Sequence, residues 1–283
     1  MDVGVGLPTT VPGVTGGEIV ETARRAEGLG FASLAVIDRL VYDNYEPLVT
    51  LAAAAAVTSR IRLASTILIA AYRGNTALLA KQLATVDQIS GGRLTVGVAA
   101  GGREDDFTAS GVPYAGRGRR LDAMLADLAR IWSGESEPPV GPRPVNGGIP
   151  ILVGGHSPAA MRRAARWGQG WIAGGSSASG YADLAEQARQ AWSAQGRPGR
   201  PRMVALAHVA LGQGAGERAE RHLRAYYAFS GPKAVHAAKS VLTDPGRLRE
   251  HVAEYEKVGC DELVLLPCVT GSDQVDLIAE ALR

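Results

Sequence analysis

The chain has 283 residues, of which 46% are hydrophobic and 20% are charged, a balance typical of a globular protein with a large core. Its formal net charge is +2 and its charges are dispersed, which argues against the basic stripe of a nucleic-acid-binding protein. No apolar run approaches the roughly 20 residues of a membrane span, and the N-terminus lacks the features of a signal peptide, so we expect a cytoplasmic protein that binds neither nucleic acid nor membranes.

Short runs of β-branched residues alternate with longer stretches of helical periodicity that are rich in Ala, Leu and Arg. The predicted strands are residues 3–7, 33–37, 62–68, 94–99, 149–153, 171–173, 203–211 and 262–266. The predicted helical stretches are residues 17–29, 46–59, 75–89, 119–132, 159–167, 181–194, 217–258 and 274–282. The stretch 217–258 is long enough for two or three helices, and residues 134–148 are predicted to form a loop because they are rich in Pro and Gly.

Eight strand–helix units, in a chain near the roughly 250 residues of a typical TIM barrel, predict an α/β protein with a (β/α)8 barrel. No change in composition marks a second domain, so we expect one domain over residues 1–283. A doubly wound sheet is the alternative, because strands are easily miscounted in a single sequence.

The cysteines and histidines do not form a metal-binding pattern. Cys260 and Cys268 have a spacing that matches no zinc or redox motif, which predicts free thiols. The five histidines include no HExxH pair and no other close ligand set, so we predict no metal site.

The strongest chemical signal is the stretch Ile151-Leu152-Val153-Gly154-Gly155-His156-Ser157-Pro158, in which a strand ends in two glycines and a helix begins. Ser157 suits the N-cap and Pro158 the first helical position. Glycines allow a ligand to approach the backbone, and a helix N-terminus favours a phosphate group. The stretch Ala173-Gly174-Gly175-Ser176 ends the next strand in a similar way. Barrels often bind phosphate on adjacent late loops, although a well-capped turn without a ligand is the alternative.

Two common nucleotide motifs are excluded. The chain contains no GxxxxGK[ST] sequence, and its Gly4-x-Gly6 lacks the third glycine of a dinucleotide-binding fingerprint. A nicotinamide cofactor in a Rossmann fold is therefore disfavoured.

Several motifs, in the correct order, resemble those of the bacterial-luciferase-like family of flavin monooxygenases and coenzyme F420-dependent oxidoreductases. They are Leu79-Ala80-Lys81-Gln82-Leu83-Ala84-Thr85-Val86-Asp87, Ser90-Gly91-Gly92-Arg93-Leu94, Asp105-Asp106-Phe107, Gly111-Val112-Pro113, Arg119-Arg120-Leu121-Asp122 and Gly168-Gln169-Gly170-Trp171. The resemblance covers residues 1–175 well and the rest loosely. It implies a (β/α)8 barrel with the flavin ring over the C-terminal mouth.

The resemblance also implies which residues contact the cofactor. By position, Thr66-Ile67 matches the family's non-proline cis peptide beneath the ring, with an ordinary trans strand end as the alternative. The other implied cofactor-binding residues are Asp38, Ala100, Gly101, Gly154, Gly155, His156, Ala173 and Gly174.

The catalytic residues that we predict are Asp38, Arg39 and Tyr42. Asp38 matches a carboxylate that approaches the cofactor in F420-dependent relatives, and a surface cap or an ion pair with Arg39 is the alternative. This chain has Arg39 where the dehydrogenases have His, and Gly102 where sugar-phosphate dehydrogenases have Glu. The resemblance therefore disfavours alcohol or sugar dehydrogenation. Arg39 is instead expected to bind an anion or polarise a carbonyl.

The resulting expectation is an oxidoreductase that uses reduced coenzyme F420 to reduce an unsaturated small-molecule or natural-product substrate, with protonation assisted by Arg39 or Tyr42. Further candidate proton donors are His156 and Glu104. An FMN-dependent monooxygenase is the first alternative, and a flavin-binding protein without catalysis is the second. We expect a homodimer by analogy with the family.

Overall fold

Eight parallel strands close into a barrel, and each strand is hydrogen-bonded to its neighbours in the order β1 to β8. The computed structural model describes residues 1–175 and 177–283. The strands are β1 (Asp2–Gly6), β2 (Ser33–Val36), β3 (Arg62–Leu68), β4 (Leu94–Val98), β5 (Ile151–Gly154), β6 (Gly170–Gly174), β7 (Arg202–Val209) and β8 (Glu262–Pro267). The barrel predicted from the sequence is confirmed, and the doubly wound alternative is wrong because β8 pairs with β1.

Helices cover the outside of the barrel between consecutive strands. They are α1 (Gly16–Leu29), α2 (Pro47–Val57), α3 (Thr76–Ser90), α4 (Glu104–Ser110), α5 (Arg117–Ser133), α6 (Pro158–Trp167), α7 (Ala178–Ala194), α8 (Ala215–Tyr226), α9 (Pro232–Lys239), α10 (Pro245–Lys257) and α11 (Gln274–Ala281). Helix α4 was not predicted, because its seven residues are too few to show a clear apolar period. No helix in the described part of the chain is both long and apolar enough to cross a membrane.

Local sequence sets where the helices begin and end. The N-cap of α1 is Thr15, whose hydroxyl accepts from the Glu18 amide at 3.2 Å while the Glu18 carboxylate accepts from the Thr15 amide at 2.8 Å. Its C-cap is Gly30, whose φ of 84° is left-handed. These caps account for the agreement between predicted and observed boundaries.

The interior of the barrel is apolar through its middle and charged at its lower end. The middle is filled by Ala35, Leu152, Ile172, Val204, Val264 and Leu266. At the N-terminal ends of the strands, Arg62 contacts Asp2 at 2.7 Å and Glu262 at 3.2 Å, and Arg202 contacts the same two carboxylates at 3.1 and 2.7 Å. This charge cluster connects strands β1, β3, β7 and β8 at the end of the barrel where stabilising residues are expected.

A long connection follows β7 before the chain reaches β8. We call residues 210–242 the β7 excursion; it contains α8, a 3-10 turn at Ala228–Ser230, and α9. At its end, the Leu242 amide donates to the His208 carbonyl at 2.9 Å, and the Leu242 carbonyl accepts from the Ala210 amide at 2.9 Å. The β6–β7 pairing stops at Leu206, so Leu242 pairs with the part of β7 beyond that point.

Candidate active site

The residues implicated by the sequence come together at one end of the barrel. Asp38 follows β2, the Thr66–Ile67 pair lies in β3, Gly101 follows β4, and Gly154 and Gly174 end β5 and β6. Because all the strands are parallel, these positions share the C-terminal mouth, where TIM barrels place their chemistry.

The centre of the mouth is apolar. Ile37, Ile67 and Leu206 pack onto the upper end of the barrel's interior cluster and remain partly exposed. The Thr66–Ile67 peptide bond is cis, as the resemblance implies. The Ile67 side chain lies directly against Gly154, since a Cβ on residue 154 would be 2.4 Å from Ile67 Cδ1. Glycine at 154 therefore allows Ile67 to occupy the mouth.

Gly101 has a separate steric reason to be glycine. Its φ is +82°, and a Cβ there would lie 2.5 Å from Ile69 Cγ2. Its carbonyl accepts from Arg117 Nε at 2.8 Å. Gly101 therefore lies close to Ile69, which follows β3, and both Ala100 and Gly101 are partly exposed at the mouth.

The predicted phosphate loop has the expected local structure. Ser157 caps α6 by accepting from the Ala160 amide at 3.2 Å, and Pro158 occupies the first helical position. Gly155 has a φ of +123°, and its carbonyl accepts from Trp171 Nε1 at 2.8 Å. His156 is exposed beside this turn. The positive end of α6 thus points to a backbone turn that a ligand could approach closely.

The end of β6 carries a second helix N-terminus. Ala173 is buried and Gly174 is partly exposed, and a Cβ on Gly174 would lie 3.2 Å from Leu206 Cβ. Ser177 caps α7 by accepting from the Gly180 amide at 3.2 Å. Ser176, which we included in this predicted stretch, lies outside the described residues.

The Asp38 carboxylate is buried and is held by three donors. It accepts from Tyr72 Oη at 2.6 Å, from the Ile69 amide at 2.8 Å and from Arg73 at 3.2 Å. Burial raises the pKa of the Asp38 carboxyl, and the Arg73 guanidinium and Tyr72 hydroxyl oppose that rise. An ion pair between Asp38 and Arg39, considered from the sequence, is wrong: the observed partner is Arg73.

Arg39 is also buried, and it contacts the β7 excursion. Its guanidinium donates to the carbonyls of Tyr226 at 2.6 Å and Val41 at 2.9 Å. It also lies 4.4 Å from the centre of the Tyr42 ring and 4.8 Å from that of Tyr226. Burial lowers the pKa of Arg39, and the nearby Arg103 adds to that effect. Arg39 therefore joins the loop after β2 to the segment above the mouth.

Two residues from α4 and the loop before it reinforce this junction. Asp106 accepts from the amides of Leu40 at 3.1 Å and Val41 at 2.7 Å. The Arg103 guanidinium lies 4.2 Å from the centre of the Phe229 ring, in the 3-10 turn of the β7 excursion. The loops after β2 and β4 thus both contact the same covering segment.

Sequence reasoning missed the partners of Asp38 and Arg39. Tyr72 and Arg73 lie in the turn after β3, and Tyr226 and Phe229 lie in the β7 excursion. The aromatic run Tyr226-Tyr227-Ala228-Phe229 within a mostly polar helical stretch was a usable signal.

A third group connects β7 and β8 at the mouth. His208 Nε2 lies 3.0 Å from Tyr227 Oη, and its Nδ1 lies 3.4 Å from Cys268 Sγ. Burial lowers the pKa of His208 to about 4 and raises that of Cys268 to about 12. The pair is therefore neutral at pH 7. Both cysteines are free in the described structure, as predicted.

A basic cavity of about 330 Å³ lies beside the end of β6. Its wall includes Gly175 and Ser177, together with His236, Lys239 and Arg247. Arg247 pairs with Glu250 and Glu254, whereas the side chain of Lys239 has no hydrogen bond or ion pair among the described residues. The described wall residues include no acid, and since Glu250 and Glu254 neutralise Arg247, Lys239 is the described wall cation best placed to bind an anion.

The sequence model of the luciferase-like monooxygenase family matches residues 1–274 of the chain. The chain belongs to the luciferase-like monooxygenase family. This agrees with the resemblance seen in the sequence motifs.

The similarity of this luciferase-like chain to individual relatives covers only part of each relative's length. A Mycobacterium tuberculosis protein, described as uncharacterized, is 31% identical over 189 aligned positions, and the match covers 55% of this chain and 65% of that protein. The FMNH2-dependent dimethylsulfone monooxygenase of Pseudomonas putida is 28% identical over 220 aligned positions, and the match covers 72% of this chain and 59% of that enzyme. The chain thus spans less than two thirds of each relative's length.

Solved structures match the luciferase-like chain over its whole length. Monooxygenase RslO1 from Streptomyces bottropensis is 26% identical with a TM-score of 0.82, covering 100% of this chain and 98% of that one. An F420-dependent secondary alcohol dehydrogenase has a TM-score of 0.85, covering 100% and 99%, at 18% identity. The second likeness shows a shared fold. The family is one of oxidoreductases and monooxygenases, with neighbours that use F420 or FMN.

Proposed function

We propose that the protein is an oxidoreductase that uses reduced coenzyme F420 to reduce an unsaturated small-molecule substrate. The observation that carries this choice is the basic cavity beside Gly175 and Ser177, adjoining the predicted tail contacts Ala173 and Gly174. Coenzyme F420 has a longer, more negatively charged tail than FMN. Lys239, the wall cation without an ion pair among the described residues, gives such a tail a complementary charge.

The remaining residues fit the ring and the phosphate. The apolar side chains of Ile37, Ile67 and Leu206 match the face of a planar ring. The turn at Gly155, at the positive end of α6, matches a phosphate group because it offers backbone amides and a favourable dipole. Thr66, Ala100, Gly101 and His156 are proposed to complete the contacts.

When bound, the reduced coenzyme would supply a hydride to a carbon of the substrate's double bond. We assign the matching proton to the Tyr42 hydroxyl, which has no hydrogen bond among the described residues. Burial raises the pKa of the Tyr42 phenol, so the group is protonated at pH 7, and in this proposal it gives that proton to the substrate as the hydride is transferred. Water then restores the proton. Arg39 holds the Tyr42 ring in place, and Asp38 fixes the turn after β3.

An FMN-dependent monooxygenase is the second candidate. It is favoured by the likeness to monooxygenase RslO1, which extends over the whole chain at 26% identity. Both candidates use the same mouth and the same phosphate loop, so they differ in what the basic cavity binds.

Cofactor titration separates the candidates. The purified protein would be titrated with coenzyme F420 and, separately, with FMN, and binding followed by fluorescence. We expect tighter binding of F420, and we expect Lys239→Ala to weaken F420 binding about fivefold, as for one partly exposed ion pair, while leaving FMN binding unchanged. Lys257→Ala, an exposed substitution on α10 away from the cavity wall, is the control.

Binding and turnover together distinguish the proposed reductase from the monooxygenase and from a non-catalytic flavin-binding protein. FMN binding without F420 binding would overturn the proposal in favour of the monooxygenase. F420 binding with no hydride transfer to a panel of enones and other activated alkenes would favour the non-catalytic flavin-binding alternative. Tyr42→Phe should bind F420 normally but reduce such substrates at least about a hundredfold more slowly.

A further inference from the structure

A second basic cavity, of about 310 Å³, lies apart from the basic cavity beside β6. It is an open cavity bordered by the loop after β1, helix α8 and the loop after β8, and its wall includes Val11, Pro12, Arg218, Arg221, His222 and Val269. The loops after β1 and β8 place it on the same face of the barrel as the mouth. Nothing in the proposed reduction uses these residues.

The rim of this cavity carries two uncompensated positive charges. Arg218 and Arg221 are three residues apart on α8 and therefore lie on the same side of the helix. Both are exposed, and neither side chain has a hydrogen bond or ion pair among the described residues. Of the two acids on α8, Glu220 is paired with Arg224 at 2.6 Å and Glu217 makes no ion pair among the described residues, and none of the described wall residues is acidic.

The inner wall has a buried polar atom without a partner. His222 is 6% exposed, and its Nδ1 makes no hydrogen bond in the described structure. Its ring lies 6.0 Å from that of Tyr226. Buried polar atoms are normally hydrogen-bonded, so the unsatisfied ring of a wall residue indicates a place for a ligand atom.

The rest of the wall is mainly apolar. Val11 and Pro12 face it from the loop after β1, Ala225 from α8, and Val269 from the loop after β8. A ligand that fits this arrangement has an anionic group for the rim and an apolar body for the interior. Late loops of TIM barrels often hold phosphate groups, and the loops after β7 and β8 flank this cavity.

We propose that this cavity binds a small organic anion, a phosphate ester or carboxylate with an apolar body. Arg218 and Arg221 bind the anionic group, and His222 hydrogen-bonds to a polar atom of the ligand. The proposal is independent of which cofactor occupies the mouth. The ligand would lie against α8, whose last residue, Tyr226, accepts the hydrogen bond from Arg39.

Phenyl phosphate and benzoate are suitable anionic probes, and benzyl alcohol is the uncharged control of similar shape. Each would be titrated into the cofactor-loaded protein by calorimetry. We expect saturable binding of an anionic probe and none of benzyl alcohol. The Arg218→Ala/Arg221→Ala double variant should weaken binding at least about tenfold, while Arg224→Ala, which removes a charge from the same helix outside the cavity wall, should change it less than about twofold.

Two further readouts make the result decisive. The nitrogen chemical shifts of His222 should move on probe addition in the wild type and not in the double variant. The affinity for the cofactor should be the same in the wild type and the double variant. That result would show that the probe and the cofactor's phosphate group, at the Gly155 loop, bind at different sites. Failure of both anions to bind, or equal binding by the double variant, would overturn the proposal.

Discussion

The carboxylate of Asp38 is bound to the guanidinium of Arg73, 35 residues further along the chain, at 3.2 Å. The side chain of Asp38 is 1% exposed and that of Arg73 is 14% exposed, so the pair is shielded from solvent. The pair fixes the turn after β3, directly after the Thr66–Ile67 bond.

Asp38→Asn should lower the free energy of unfolding by about 3 kcal/mol, because it leaves Arg73 largely buried with only the carboxylate of Glu46 as a partner. Glu46→Gln is the control. Glu46 is 44% exposed, so its loss should cost about 1 kcal/mol or less. Urea denaturation of both variants checks the prediction, and equal losses would contradict it.

Gly154→Ala should disturb the mouth, because the added methyl would lie 2.4 Å from Ile67 Cδ1. We expect a loss of about 1–3 kcal/mol in stability and weaker flavin binding. Ile67→Val removes the Cδ1 atom and should restore part of both losses in the Gly154→Ala background. A double-mutant cycle measures this coupling, and additive effects would show that the two side chains do not compete for space.

Arg39→Lys should loosen the β7 excursion. Lysine cannot reproduce the planar group that donates to the Tyr226 and Val41 carbonyls while stacking on Tyr42. Amide hydrogen exchange should become faster in residues 215–239 and stay unchanged in β1 to β5. Arg224→Lys, a surface substitution on α8, is the control. Unchanged exchange in the Arg39 variant would mean that other contacts suffice to hold the excursion.

Stability should fall as the pH is lowered from 6.5 towards 4. Burial lowers the pKa of both His208 and His222 to about 4. Between that value and the unfolded pKa of about 6.5, the unfolded chain binds protons that the folded chain does not. Each histidine should therefore remove roughly 2–3 kcal/mol from the free energy of unfolding between pH 7 and 4.5.

His222→Phe isolates one of these contributions. The variant should show a smaller stability difference between the two pH values than the wild type, whatever its stability at pH 7. Cys268, Tyr227 and Tyr226 are the titratable groups in contact with the two rings, and they stay neutral in this range. Urea denaturation at both pH values provides the measurement; an unchanged difference would mean that His222 is protonated in the folded protein.

Much of the site could be predicted because its signals are local. Ser157 and Pro158 cap α6 as their sequence indicates, and the cis bond at Thr66–Ile67 followed from family resemblance. The roles of the cofactor-contacting residues stay predictions. The partner of Arg39 could not be predicted, because 187 residues separate it from Tyr226 and no periodicity links them. The ion-pair partner of Asp38 also depends on a tertiary contact. Arg39 is its neighbour in the sequence, but the turn after β3 brings Arg73 closer.

The charge cluster of Asp2, Arg62, Arg202 and Glu262 has a consequence for how such a protein can change over time. It joins four strands at the end of the barrel opposite the mouth, and its contacts involve no residue of the loops after the strands. Mutations that reshape the loops after β2, β4 and β7 therefore leave this closure intact. Proteins that share this barrel can therefore evolve new substrate specificities through their loops while keeping the charge cluster that helps to close the barrel.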